Sequence, residues 1–292
     1  MGLLPLVERL TRRALNAQGV RSRWIETSIA PLHVYDAKGS GPLPTVVVLH
    51  GINASGAVFA PVLARLRKSA RRVLVPEAPG HGFSGEPSAP LTPDTLFTAM
   101  TELLDSVLDE PAIIAGNSLG GGVALSYAIA RPARVRGLVL TSPAGATMNE
   151  AELAELLSAF KMRSRADARA FMARLYARPP WFAPLLAGDV VQGFAREVIT
   201  SFTASIRPEH SFTPEDLGAL RMPILLVWGR ADRLMPASNL EYFRRHLPPH
   251  TRIEEPDDVG HCPHLDTPAL LAAKITSFAE EVVRAAAPRS GG

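Results

Sequence analysis

The pentapeptide Gly116-Asn117-Ser118-Leu119-Gly120 sets one hydroxyl between two glycines, the pattern of a nucleophile presented on a tight turn. An apolar run at 112–115 precedes it and a helical pattern over 119–130 follows. On a strand-to-helix turn, side chains two places before and after the nucleophile would collide with neighbouring backbone, so small residues must stand there. The turn would expose the Ser118 hydroxyl and aim the Leu119 amide, at a helix N-terminus, toward an oxygen that becomes negative during acyl transfer. A serine hydroxyl is a weak nucleophile unless a base lies within hydrogen-bond reach. Of the eight histidines, His261 in Val259-Gly260-His261-Cys262-Pro263-His264 follows the last strand-like run and precedes the last helical one. A loop there can overhang the C-terminal edge of a sheet. His264 is the nearby rival. The third group should be a carboxylate that accepts a hydrogen bond from the imidazole and stabilises the imidazolium. Asp232 meets this, three residues beyond Gly229 at the end of the run 223–228, with Asp257 and Asp258 as alternatives in the loop of His261.

These residues need a frame that gathers strand ends along one edge. Strand patterns at 24–29 and 32–35 suggest a hairpin through Pro31, and a β-branched run at 45–49 reads as buried on both faces. Further strands are expected at 72–75, 112–115, 137–141, 223–228 and 251–254, with helices near 57–68, 95–108, 119–130, 238–246 and 269–285. Such alternation means an α/β fold, a mostly parallel sheet covered by helices on both faces. It breaks once. From 145 to 220 the chain reads as about four short helices rich in Ala, Leu and Arg, punctuated by Pro179-Pro180, Gly188, Gly193 and Pro208. The expected organisation is a core of 1–144 and 221–292, with 145–220 inserted as a lid; the stretch 288–292 reads as a frayed tail.

The bulk composition is that of an ordinary globular chain of one large domain: 292 residues, 47% hydrophobic and 20% charged. The net charge of +3 comes from scattered arginines, which argues against nucleic-acid binding. One cysteine, Cys262, permits no intrachain disulfide and no cysteine metal cluster, and with charges early in the N-terminal stretch the chain reads as cytoplasmic. No uncharged run approaches the roughly 20 residues that span a bilayer. Leu3, Leu4, Leu6, Val7, Leu10, Ala14 and Leu15 recur at helical spacing within residues 1–20. That amphipathic helix is expected to lie on its own body or on a second copy of the chain, with a membrane-surface helix as the alternative. A Gly80-His81-Gly82-Phe83-Ser84-Gly85 match to a dinucleotide fingerprint fails, because the proline-interrupted stretch after it cannot open the required helix. No cofactor or metal is expected.

Over nearly its whole length the chain resembles the α/β-hydrolase superfamily. His50-Gly51 resembles its oxyanion loop, Glu77 to Ser84 its D-x-P-G-H-G-x-S loop with Glu for Asp, 229–236 its acid loop and 260–268 its histidine loop. The order Ser, Asp, His is the chain order of that fold. The resemblance implies a second oxyanion donor, the amide of Ile52 or, with the loop placed differently, of Asn53. It also implies a small-molecule substrate, for which Asn53 is a candidate contact; a lid over the serine would wall it with aromatics, for which Phe160, Trp181 and Phe182, with Phe171 and Phe194, are the candidates, each also suited to the lid's own core. A serine at the turn, rather than aspartate, argues against epoxide and halide chemistry and favours ester hydrolysis through an acyl-enzyme. Hydrolysis of a carbon–carbon bond in ring-cleavage products is the alternative, since Gly116 to Gly121 resembles the elbow of those enzymes, although Ile52-Asn53 and Cys262 depart from their pattern. A small-molecule receptor of the same fold is the reading from outside enzymology.

Overall fold

A computed structural model of the chain describes residues 2–286, so the tail at 288–292 lies outside the described residues. The strands are β1 (Val20–Ile25), β2 (Leu32–Lys38), β3 (Val46–Leu49), β4 (Arg72–Pro76), β5 (Ala112–Asn117), β6 (Val135–Thr141), β7 (Ile224–Val227) and β8 (Arg252–Glu254). They form one sheet in the order β1-β2-β4-β3-β5-β6-β7-β8. β2 pairs antiparallel with β1 and β4, and the remaining neighbours are parallel. The helices are α1 (Leu3–Ala17), α2 (Ala60–Leu66), α3 (Pro93–Val107), α4 (Leu119–Ala130), α5 (Glu150–Ala159), α6 (Arg165–Leu175), α7 (Ala187–Phe194), α8 (Glu197–Ser205), α9 (Pro214–Gly218), α10 (Ala237–His246), α11 (Pro263–Asp266) and α12 (Pro268–Ala286).

The central strands are short, β-branched and buried on both faces, which only a sheet sandwiched between helix layers allows. Alternate residues feed two cores. Val47, Leu49, Ile114 and Leu226 pack with α3 and α4, whereas Val46, Val48, Ile113 and Leu225 pack with α2 and α12. From β3 the chain crosses to β4 on one side, and β5 then lies on the other side of β3. This reversal leaves a crevice beyond the carboxyl ends of β3 and β5, where Leu49 pairs with Gly116.

Two elements differ from the sequence reading. The first strand begins at Val20 and ends at Ile25, because the segment after it turns on Thr27, whose hydroxyl donates to Ala30 O. α1 does not pack its apolar stripe on the body: Leu15 is its buried residue, while Leu3, Leu6, Val7 and Leu10 are exposed. Its orientation is set by polar contacts, with Leu4 N–H donating to the Asp189 carboxylate at 2.7 Å and the Arg12 guanidinium 3.9 Å from the Phe83 ring centre. Between β6 and β7 the regular structure is all helical, α5 to α9 with two 3₁₀ turns and no strand among the described residues.

Candidate active site

Ser118 sits between the end of β5 and the start of α4 with φ +54° and ψ −120°, a backbone conformation that a non-glycine residue adopts only when its surroundings impose it. Those surroundings are tight. A Cβ at Gly116 would lie 2.2 Å from Gly120 O, and one at Gly120 would lie 2.3 Å from Leu49 O. The Ser118 carbonyl accepts from the amides of Gly121, Gly122 and Ala144, and its own amide donates to Thr141 O. The backbone of the turn is thus saturated and holds the side chain out at the sheet edge.

His261 and Asp232 meet there. His261 Nδ1 and Asp232 Oδ2 are 2.9 Å apart with both side chains almost fully buried. Asp232 Oδ1 accepts the amides of Leu234 and Met235 at 2.9 and 3.1 Å. Burial by itself would raise the Asp232 carboxyl; the positive charge and hydrogen bond of His261, the Ser142 side chain and the Leu234 amide outweigh it and hold the group below the usual carboxylate range. The other ring nitrogen, His261 Nε2, is buried and has no hydrogen-bond partner among the described residues. No hydrogen bond joins it to the Ser118 hydroxyl. What brings the two loops together is Asn117, the last residue of β5 and the one directly before Ser118. Its Nδ2 donates to His261 O at 2.8 Å and to Thr141 O at 3.1 Å.

The rivals go elsewhere. His264 stacks on Phe59 with ring centres 4.2 Å apart, and burial drives its pKa down to about 3. Asp257 and Asp258 form surface ion pairs with Arg230 and Arg178.

The 50–53 loop lies against the turn, since a Cβ at Gly51 would come within 3.3 Å of Ser118 Cβ. Ile52 and Leu119 line the same cavity as Ser118, and among the described residues neither backbone amide is engaged in a hydrogen bond. Asn53 is not available as the alternative donor. It stands at φ +52°, and its amide donates to His81 Nε2 at 3.1 Å. His81 Nδ1–H in turn donates to Pro79 O, and His50 bridges the same two loops by donating to Gly51 O and accepting the Ala78 amide at 3.0 Å. Both rings are buried, which lowers their pKa values, that of His81 to about 3, and keeps each Nε2 an acceptor. Glu77 underpins the arrangement, fully buried and bonded to His33, Gly56 N and Phe83 N. The bracing roles of Asn117, His50 and His81 have no local signal, though both histidines lie in quoted motifs.

The cavity beside Ser118 has a volume of about 110 Å³ and an almost entirely apolar lining, with Phe160, Phe202, Phe212 and Met235 among its walls. Trp181 and Phe182 are corrections: neither lines it, and both are exposed at the surface of the helical segment, with their rings set edge to face. Asn53 does not line it either; its side chain packs against Gly193. Phe171 and Phe194 pack behind Phe160, Phe194 stacked on it at 5.6 Å, and form the core of that segment.

A family model described as "Alpha/beta hydrolase family" matches residues 46–274. The chain belongs to the alpha/beta hydrolase family. It is 32% identical over 263 residues to the pimeloyl-[acyl-carrier protein] methyl ester esterase of Aromatoleum aromaticum, covering 82% of this chain and 98% of that one. It is 27% identical over 267 residues to the sn-1-specific diacylglycerol lipase ABHD11 of Mus musculus, covering 85% of each. A solved membrane phospholipase A, described as a bacterial virulence factor, superposes with a TM-score of 0.82 over 96% of this chain and 93% of that one at 23% identity.

Proposed function

We propose that Ser118 is the nucleophile, His261 the base and Asp232 the orienting acid of a serine hydrolase that cleaves carboxylic esters through an acyl-enzyme. The chain is a carboxylic ester hydrolase of its family, and its relatives by sequence are named as esterases and a lipase, which favours this over carbon–carbon bond hydrolysis. The observation that supports the assignment of roles is the buried His261–Asp232 hydrogen bond, in a loop that Asn117, the neighbour of Ser118, ties to the turn through His261 O.

In the proposed reaction Ser118 Oγ bonds to the ester carbonyl carbon as Nε2 takes its proton. The carbonyl oxygen becomes negative and accepts hydrogen bonds from the amides of Ile52 and Leu119; one such donor is typically worth about 3 kcal/mol in the transition state. Breaking the carbon–oxygen bond to the alcohol sends the proton from Nε2 to the leaving oxygen. Water then attacks the acyl-enzyme by the same route, returning the proton to Ser118 and releasing the acid. Asp232 keeps Nδ1 protonated and stabilises the imidazolium at each stage. The segment 145–220 acts as a lid, and its Phe160 and Phe202 give the cavity an apolar wall suited to a small or medium-sized acyl chain.

The test is turnover of p-nitrophenyl esters of increasing acyl length by the wild type and Ser118→Ala. Wild-type turnover and a fall of roughly four to six orders of magnitude in kcat are expected. Turnover that persists in the variant would overturn the reading.

A further inference from the structure

We propose that the exposed apolar stripe of α1, together with Trp181 and Leu185, seats the protein on the surface of an anionic phospholipid bilayer. The stripe is Leu3, Leu6, Val7 and Leu10, continued by Ala14 at helical spacing; its four large side chains are 44%, 39%, 46% and 52% exposed. Single exposed leucines are ordinary, but a row of four on one helix face is the signature of a surface made to be covered. The helix turns Glu8, Arg12 and Leu15 toward the body instead, and burial raises the Glu8 carboxyl above its ordinary range. Its orientation is therefore fixed with the apolar side outward.

A second exposed apolar stretch precedes the helix that α1 touches. Leu4 N–H donates to Asp189 on α7, so the N-terminal end of the stripe abuts the lid. In the 3₁₀ turn before α7 stands Leu185, 66% exposed, and in the turn that precedes it Trp181, 86% exposed. A tryptophan in that position has the apolar body and polar N–H of a residue suited to the headgroup boundary. Neither residue faces the substrate cavity, so the active site does not account for their exposure.

Charge selects the occupant. Residues 1–23 contain five arginines and one glutamate; Arg12 is turned inward over Phe83 and Arg23 pairs with Asp36, while Arg13 and Arg21 are exposed and the Arg165 guanidinium lies beside Gly188, next to the junction of α1 and α7. An amphipathic helix flanked by arginines is held on a negatively charged lipid surface by apolar burial and electrostatic attraction together. A second copy of the chain is a poorer partner, because a two-fold contact through this face would bring the exposed Arg13 of each copy toward the other. Among the described residues no helix is long and apolar enough to cross a membrane, so the contact is with the surface. It does not depend on the catalytic reading.

Flotation with phosphatidylcholine vesicles, with and without phosphatidylglycerol, tests this on the full chain. Binding to the anionic vesicles is expected, weakened by salt and at least about tenfold weaker on neutral ones. Two variants, Leu6→Ser with Leu10→Ser and, separately, Trp181→Ser, should each bind several-fold less while keeping the wild-type melting temperature and p-nitrophenyl ester turnover. No flotation of the wild type, or equal flotation of folded variants, overturns the proposal. So does a dimer in sedimentation equilibrium that the leucine variant dissociates, which would give this face to a second copy.

Discussion

The edge of the sheet at β3 and β5 and the helical lid differ in how their polar and apolar groups are tied down. At the edge each loop is braced by buried or half-buried hydrogen bonds between residues distant in the chain: Asn117 to His261, Asn53 to His81, Ala78 to His50. In the lid the braces are local capping boxes, such as Asn149 with Glu152 and Ser164 with Asp167, and α5 has no fully buried residue. The edge is built to hold atoms still and the lid to cover them. Substitutions at the edge should therefore damage the chemical step, and substitutions in the lid should affect binding or nothing.

The largest effect tests the edge. Asp232→Asn should lower kcat by about four orders of magnitude, since the amide favours the wrong imidazole tautomer, with little change in KM; a drop under tenfold would contradict the assigned role. Acid should act next, and on stability. His81 and His264 titrate near 3 in the fold against an ordinary 6.5. The unfolded chain then gains protons below pH 6.5 that the folded chain refuses. Stability is full above that pH and declines by about 1.4 kcal/mol per unit for each ring down to about pH 3. At pH 5 the two together should cost about 4 kcal/mol, read as a lower melting temperature than at pH 7.5; an unchanged value would mean that these rings are not held neutral.

His81→Leu follows. It removes the acceptor for the Asn53 amide and frees the loop that carries the Ile52 N–H, so kcat should fall about a hundredfold with KM nearly constant. A rise in KM alone would show that His81 shapes the pocket rather than the oxyanion donors. The lid gives the smallest effects. Phe160→Ala should raise KM about tenfold for medium-length acyl esters, because the residue both walls the cavity and stacks on Phe194. Trp181→Ala should leave the kinetics on soluble esters within twofold. Equal effects of the two would erase the distinction between lid wall and lid surface.

The two regions also differ in what could be read from the sequence. The turn at Ser118 was legible because its glycine pattern is contiguous: Gly116 is demanded by the backbone of Gly120 within the turn, and Gly120 by the end of β3 that every such turn must pass. The mostly parallel sheet followed from short β-branched runs alternating with helical periods, whereas the order of the strands within it had no signal in the sequence. The bracing by Asn117, His50 and His81 was hidden because its partners lie 28 to 144 residues away. In the lid, apolar residues on short helices have three destinations, the cavity, the lid core and the surface, and periodicity does not choose among them. Phe160 lines the cavity, Phe171 and Phe194 the core, and Trp181 and Phe182 the surface. α1 makes the same point, since its spacing defines an apolar face but not which way that face turns.

The most direct test of the account is covalent labelling with a p-nitrophenyl phosphonate, followed by mass spectrometry of the digested protein. One equivalent should attach to Ser118, with loss of ester turnover in step with labelling and with no labelling of Ser118→Ala. A phosphonate bound at another residue, or full turnover in protein labelled at Ser118, would contradict it.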